Sequence, residues 1–102
     1  MSPEYALLGI LMPGPKHGYE VHSDFSSNMN QFWHLSMSQI YALLKRMEKN
    51  GVVVSREKWQ ENRPAKKIFS ITQAGKERFI GALALIDKQI EVFQSFPDLF
   101  CP

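Results

Sequence analysis

The spacing of apolar residues between positions 36 and 51 predicts one amphipathic helix. Four apolar side chains follow the i, i+3, i+4, i+7 rule and form a single stripe: Ile40, Leu43, Leu44 and Met47. Ser36 followed by Gln39 is the pattern of a capping box at the helix start, and Gly51 supplies the stop. The outer side then consists of Ser38, Gln39, Tyr41, Ala42 and Lys45. Polar side chains in the first turns are typical of a helix that reads base edges.

The residues after this helix predict a two-stranded ribbon with a charged tip. Residues 52–59 begin with β-branched side chains and then partly alternate, and residues 66–71 predict the returning strand. Between them, residues 60–65 are polar and contain Asn and Pro, which form turns. Thr72 then stands at the N-cap of another helix. This predicted order is that of a winged helix-turn-helix: a helix, a glycine stop, a strand, a basic loop and a second strand.

Two helices precede the recognition helix. Residues 3–12 predict a helix that is apolar almost all round, with Ser2 as its cap and Pro3 in its first turn. We expect this helix to lie in the core, and in this type of fold it can also pack against a second subunit. Residues 17–26 predict the second helix, so the helix-turn-helix consists of the second and third helices with a long turn.

Several side chains of the second helix and its turn are expected in the core. Tyr19, Val21 and Phe25 are the expected core contacts of the helix. Gly18 leaves room for a neighbouring helix or a backbone phosphate. The turn ends in three ring-bearing residues that are expected to close the bottom of the core: Phe32, Trp33 and His34.

The last helix, predicted over residues 72–96, is expected to mediate dimerisation. An apolar seam with heptad spacing runs along it: Phe79, Leu83, Ile86, Ile90 and Phe93. The apolar face is widened by Leu85, Val92 and Phe96. The alternative is that this stripe packs entirely on its own domain. Three short helices and a ribbon cannot cover a helix of about 36 Å, at 1.5 Å per residue, which favours a two-fold contact between two copies.

Charge is distributed unevenly along the 102 residues, although the net charge is only +2. Residues 36–67 contain eight cations and three anions, a net charge of +5, whereas the remainder contains four cations and seven anions, a net charge of −3. This asymmetry fits a polyanion bound on one face. The alternative is a chance cluster of solvated Lys and Arg on a hairpin, and the adjoining recognition-type helix makes that reading less convincing.

Length and composition place the chain among single-domain proteins. The hydrophobic fraction of 44% and the seven Phe residues exclude a disordered polymer. The longest apolar run, residues 5–12, falls short of the roughly 18 residues of a membrane span. The start lacks the basic leader of a secretory signal, and the one cysteine, Cys101, cannot form an internal disulfide. We therefore expect a cytoplasmic protein.

An enzyme is poorly supported by the sequence. His17, His22 and His34 lack the spacing of metal ligands, and Cys101 near the chain end is a poor candidate for a nucleophile. There is no glycine-rich phosphate loop and no Ser-His-acid set. We therefore expect no catalytic residue, no metal and no cofactor. The serious rival to DNA binding is a winged-helix module that binds another protein.

Four segments together resemble the PadR family of bacterial transcriptional regulators. They are His17-Gly18-Tyr19-Glu20, Ser36-Met37-Ser38-Gln39-Ile40-Tyr41, Leu44-Lys45-Arg46-Met47-Glu48-Lys49-Asn50-Gly51 and Lys66-Lys67-Ile68-Phe69-Ser70-Ile71-Thr72-Gln73-Ala74-Gly75. The resemblance covers roughly residues 5–80. It implies a mostly α winged helix-turn-helix dimer with a two-stranded β wing that binds palindromic operator DNA, usually as a repressor. It also implies that small aromatic molecules bind near the dimer interface and release the DNA in some members.

This chain departs from the family pattern at the wing and at the start of the third helix. Members usually carry Arg-Lys-Tyr-Tyr where this chain has Lys66, Lys67, Ile68 and Phe69, so the charge is kept and two hydroxyls are lost. Met37 stands where proline is common, and Ser38 where glycine is common. DNA binding remains the expectation, while base specificity is open.

The residues expected to contact DNA come from three places. Ser36, Met37, Ser38 and Gln39 are expected at base edges, with Gln39 divided between adenine and its capping bond. Phosphates are expected at Tyr41, at Lys45 and at His17 or Lys16. Three cations of the wing are expected at the DNA backbone or in the minor groove: Arg63, Lys66 and Lys67. Tyr41 is also readable as a half-buried aromatic side chain of the core.

The expected organisation is a DNA-binding part at residues 1–71, a dimerisation helix at residues 72–97 and a tail at residues 98–102. An effector cavity at the dimer interface would be lined by Met12, Trp33, Phe93 and Phe96, which core packing explains equally well.

Overall fold

The computed structural model describes the backbone of residues 2–29 and 31–95 and the side chains of residues 2–29 and 31–85. Its helices are α1 (Pro3–Leu11), α2 (Gly18–Met29), α3 (Met37–Lys49) and α4 (Gln73–Ser95), and its strands are β1 (Lys16–His17), β2 (Val53–Lys58) and β3 (Lys66–Ile71). The strands form one antiparallel sheet in the order β1-β3-β2. This is the expected fold class, mostly α with a two-stranded wing formed by β2 and β3.

Local signals set both ends of α3. The Ser36 hydroxyl accepts a hydrogen bond from the Gln39 backbone at 3.2 Å, and the Gln39 side chain accepts one from the Ser36 backbone at 2.8 Å, so the capping box is confirmed. At the other end Gly51 has a φ of 78°, and the Val52 backbone N–H donates to the Met47 carbonyl at 3.0 Å. These two features form a Schellman motif, which requires the left-handed conformation that glycine adopts without strain.

Helices α1, α2 and α3 pack on one face of the sheet, called the core side, and the core lies between them and that face. Its fully or nearly buried side chains are Leu7, Leu8, Leu11, Val21, Phe25, Ile40, Leu44, Met47, Val52, Val53 and Phe69. Ile40, Leu44 and Met47 confirm the apolar stripe predicted for α3, and Leu43 packs partly buried against it. Removing these side chains from water is the main favourable term in the stability of the fold.

Four local expectations are corrected. Tyr19 is 69% exposed, because it lies on the outer side of α2 opposite Val21 and Phe25. Of the turn residues, only Trp33 packs against the core, whereas Phe32 and His34 are exposed. Ser2 occupies the N-cap position of α1, but its side chain makes no capping hydrogen bond.

The short strand β1 was not expected at all. Lys16 pairs with Phe69 and His17 with Ile68, so the residues ahead of α2 extend the wing sheet instead of starting the helix. As a result α2 begins at Gly18 and continues to Met29, three residues beyond the predicted end.

Helix α4 begins as predicted, with the Thr72 hydroxyl accepting from the Gly75 backbone at 3.1 Å. Phe79, the first residue of the predicted seam, packs against the core of its own chain, with α1 passing close enough that Gly9 faces its ring. Leu83 is half exposed. Ile86, Ile90 and Phe93 of the seam lie outside the described side chains, as do Val92 and Phe96.

Candidate nucleic-acid interface

The outer side of α3 is the first part of the candidate interface. Ser38, Gln39, Tyr41, Ala42 and Lys45 are all exposed, as the periodicity predicts. The Gln39 amide oxygen accepts a hydrogen bond from the Ser36 backbone N–H. The Gln39 amide nitrogen donates to no acceptor among the described residues and is therefore available to a ligand. A two-bond contact with adenine needs the oxygen as well, so that contact competes with the capping box.

Tyr41 joins three elements. Its ring packs on Phe69 of β3, with 6.0 Å between ring centroids and an interplanar angle of 59°. Its hydroxyl lies directly over Gly18 of α2, where any Cβ would collide with the phenol. The side chain is 37% exposed. The packing reading of Tyr41 is therefore confirmed, and the close neighbour allowed by Gly18 is this side chain. Its contact with a phosphate stays a prediction.

A groove of about 480 Å³ lies between the start of α2, α3 and the wing. Its lining residues are His17, Gly18, Tyr19, Tyr41, Gln60, Arg63, Pro64, Ala65, Lys66 and Lys67. Five residues that the sequence assigned to DNA contacts thus meet in one place: His17, Tyr41, Arg63, Lys66 and Lys67. The groove contains three permanent cations and no carboxylate among its lining residues, so it attracts anions.

The start of α2 already holds an acidic side chain. Glu20 accepts a hydrogen bond from the His17 backbone at 3.2 Å, and its carboxylate lies 3.6 Å from the His17 ring. The other ring nitrogen of His17, Nδ1, is buried without a hydrogen-bond partner among the described residues. A phosphate at this helix start would have to compete with Glu20 for the same backbone N–H.

Lys16 does not belong to this surface. It forms an ion pair with Asp24 and lines a second groove, of about 430 Å³, between α1, α2 and α4. The cause is β1, in which neighbouring residues leave opposite faces of the sheet. The expectation of a phosphate contact at Lys16 is therefore not supported by its position.

The second groove also differs from the expected effector cavity. Its main apolar lining consists of Tyr5, Ile10, Phe79 and Leu83. Neither Met12 nor Trp33 lines it, because Trp33 packs beside Phe25, at 6.2 Å between ring centroids, in the turn before α3. Phe93 and Phe96 lie outside the described side chains.

The described ranges contain neither a metal-binding cluster nor a membrane-spanning helix. No group of three or more His, Cys, Asp and Glu side chains is placed to hold a metal ion there. In that same part of the chain, no helix combines the length and apolar character needed to cross a membrane.

Comparison with known proteins gives a consistent result. Residues 7–80 match the Transcriptional regulator PadR-like family. The negative transcriptional regulator PadR of Bacillus subtilis is 36% identical over 74 residues, which are 72% of this chain and 41% of that protein. This chain therefore spans less than half of the length of that relative.

Two crystal structures of the Bacillus subtilis protein superpose on this fold. The complex with operator DNA has a TM-score of 0.71 at 35% identity and covers 78% of this chain and 45% of that one. The complex with p-coumaric acid has a TM-score of 0.65 at 33% identity and covers 79% of this chain and 41% of that one.

Proposed function

Because this chain belongs to the PadR-like family of transcriptional regulators, we propose that it binds duplex DNA sequence-specifically as a homodimer and regulates transcription. The proposal rests on one observation: Tyr41 of α3 also lines the cationic groove beside the wing. The exposed start of α3 and this groove are therefore adjacent. The similarity to a protein solved with operator DNA supports the same conclusion. Regulation by repression is proposed from the negative regulator, and such a role belongs in the cytoplasm.

In the proposed complex, α3 enters the major groove with its N-terminal end. Met37, Ser38 and the free amide nitrogen of Gln39 meet base edges, and Ser36 remains the cap. Phosphates are held by a second set of side chains, from which Lys16 is omitted: His17, Tyr41, Lys45, Arg63, Lys66 and Lys67. The polar contacts position the protein, and the few base contacts give specificity.

Dimerisation is proposed through α4. Ile80, Leu83 and Leu85 are exposed on a helix whose first turns pack on α1. Exposed apolar side chains on more than one side of a helix favour a further partner, and a second copy would supply a symmetric one. We assign residues 1–71 to DNA binding and residues 72–97 to this dimer contact.

An effector is proposed from the complex of the Bacillus subtilis relative with p-coumaric acid. The groove between α1, α2 and α4 has the size and the apolar lining suited to a small aromatic molecule. Isothermal titration with p-coumaric acid, repeated in the presence of bound DNA, tests this part on its own.

The central experiment is selection of bound duplexes from a random pool at moderate salt, after the oligomeric state has been measured by sedimentation. The expected result is a dimer that enriches inverted repeats with half-sites one DNA turn apart, about 34 Å. A Leu83→Asp variant, which places a charge in the proposed dimer contact, should sediment as a monomer and lose the preference for inverted repeats. An intact dimer that enriches no sequence would contradict the proposal and favour a protein partner.

A further inference from the structure

The connection between α2 and α3 is too long to fix the two helices by itself. It spans residues 30–36, whereas the turn of a minimal helix-turn-helix has roughly three or four residues. Trp33 packs beside Phe25, and the apolar side of α3 packs in the core. Apolar packing is non-directional, so it holds the helices together without fixing the exact place of the first turn of α3.

A directional contact crosses this connection. The Nε2 atom of His22 in α2 lies 3.2 Å from the carbonyl oxygen of Leu35, the residue immediately before the Ser36 cap. A carbonyl oxygen only accepts, so Nε2 carries the proton and donates it. The Ser26 hydroxyl is a second neighbour of this nitrogen, at 3.5 Å, which is longer than the usual hydrogen bond between nitrogen and oxygen.

The position of Leu35 explains why its carbonyl needs this donor. The carbonyl of an N-cap residue accepts the first bond of its helix, as the Ser36 carbonyl does from the Ile40 backbone at 3.0 Å. The carbonyl one residue earlier lies outside the helix and has no such partner, so the His22 side chain supplies the donor instead. Leu35 is partly buried, and a buried carbonyl without a partner costs free energy. Loss of His22 would therefore draw Leu35 and the adjoining cap toward water.

Base recognition depends on the place of the first turn of α3. The proposed base contacts, Met37, Ser38 and Gln39, lie in this turn, within about 5 Å of the cap along the helix axis at 1.5 Å per residue. A hydrogen bond to a base edge weakens steeply when its length or angle departs from the usual range. Attraction between a cation and a phosphate falls off gradually with distance, so the phosphate contacts tolerate the same displacement.

We propose that His22 is a positioning residue for sequence recognition, because its bond to the Leu35 carbonyl holds the first turn of α3 at the place from which this turn reads bases. This inference rests on the proposed function and adds to it a residue of α2 that acts through the backbone before α3. In this role His22 contributes to the choice of sequence and not to the general attraction for DNA.

The test compares two affinities of the full chain, measured by fluorescence anisotropy at one salt concentration. One duplex has the sequence enriched from the random pool, and the other is a mixed-sequence duplex of equal length. The ratio of the two affinities measures sequence recognition separately from attraction to phosphate. His22→Leu keeps a similar volume without a donor and should lower this ratio by about fivefold or more, the discrimination given by one lost base contact. Its affinity for the mixed duplex should stay unchanged.

Three matched variants identify the bond as the cause. His22→Gln has an amide nitrogen at the same number of bonds from Cα as Nε2, so its ratio should stay within about twofold of the parent value. His22→Asn has the same amide one bond closer to the backbone, out of reach of the Leu35 carbonyl, and should behave like His22→Leu. Ser26→Ala removes the second neighbour of Nε2 and leaves the Leu35 bond in place, so it is the control with an unchanged ratio.

The possible results separate this inference from the proposed function. An unchanged ratio in His22→Leu would overturn the inference, and so would equal losses in His22→Leu and His22→Gln, because the donor would then not be the cause. Parallel losses for both duplexes, with a lower midpoint of urea unfolding, would mean damage to the whole fold and would also overturn it. In each of these cases a parent chain that prefers the enriched sequence leaves the proposed function standing. A parent chain without any sequence preference would end both.

Discussion

Replacing Gly18 with Ala tests whether Tyr41 is the side chain that fixes α2 against α3. A Cβ at Gly18 would collide with three atoms of the phenol, and β1 holds the adjacent backbone against β3, so the ring must move. A displaced ring forfeits its packing on Phe69, about 0.5–1.5 kcal/mol for an aromatic pair, and overpacking as a whole costs about 1–3 kcal/mol. Ala has less conformational freedom than Gly in the unfolded chain, which stabilises the folded state by about 0.4–1 kcal/mol.

The expected net result is a loss of about 1–2 kcal/mol in the free energy of unfolding. Urea unfolding followed by circular dichroism measures it, at one fixed protein concentration because a dimer's stability depends on concentration. DNA affinity should fall in parallel, because the displaced Tyr41 is one of the lining residues of the groove.

A double-mutant cycle isolates the contact. In a Tyr41→Ala background the phenol is absent, and Gly18→Ala should then stabilise the chain by about 0.4–1 kcal/mol. The coupling energy between the two positions is expected near 2 kcal/mol, well above the roughly 0.3–0.5 kcal/mol scatter of independent sites. An equal loss in both backgrounds would refute the reasoning, because it would place the cause in the backbone of Gly18 and not in Tyr41.

Three further predictions concern residues that stabilise the fold around the candidate interface. Gly75→Ala should destabilise the chain by about 1–3 kcal/mol in urea unfolding, since a Cβ there would collide with the backbone carbonyl of Val52, which cannot swing away. Ser36→Ala should cost about 1 kcal/mol through loss of the N-cap, and an unchanged unfolding midpoint would contradict the capping role. Glu4→Gln should change stability by less than about 1 kcal/mol, as thermal unfolding will show, because Arg46 in its ion pair is 61% exposed and screened by water.

Local chemistry made α3 and the wing predictable. The capping box, the apolar stripe and the glycine stop all act within a few residues of one another, so the structure has the predicted helix, with its cap at Ser36 and its stop at Gly51. The returning strand has the predicted bounds, residues 66–71, and the five residues predicted on the outer side of α3 are all exposed. The position of most of the candidate interface follows from these local signals.

Contacts between distant segments decided the rest. Lys16 and His17 became a strand because β3, about fifty residues later, offers a free edge, and this pairing turns Lys16 toward Asp24 and away from the candidate interface. Phe79 has heptad spacing, yet α1 lies close enough to bury part of it within its own chain. Periodicity indicates which side of a helix or strand is apolar, but it does not indicate which neighbouring element covers that side. The alternation of the wing strands was readable, whereas the outward direction of Arg56, Lys58 and Lys66 depended on which face of the sheet the helices cover, and that is decided only when the chain has folded.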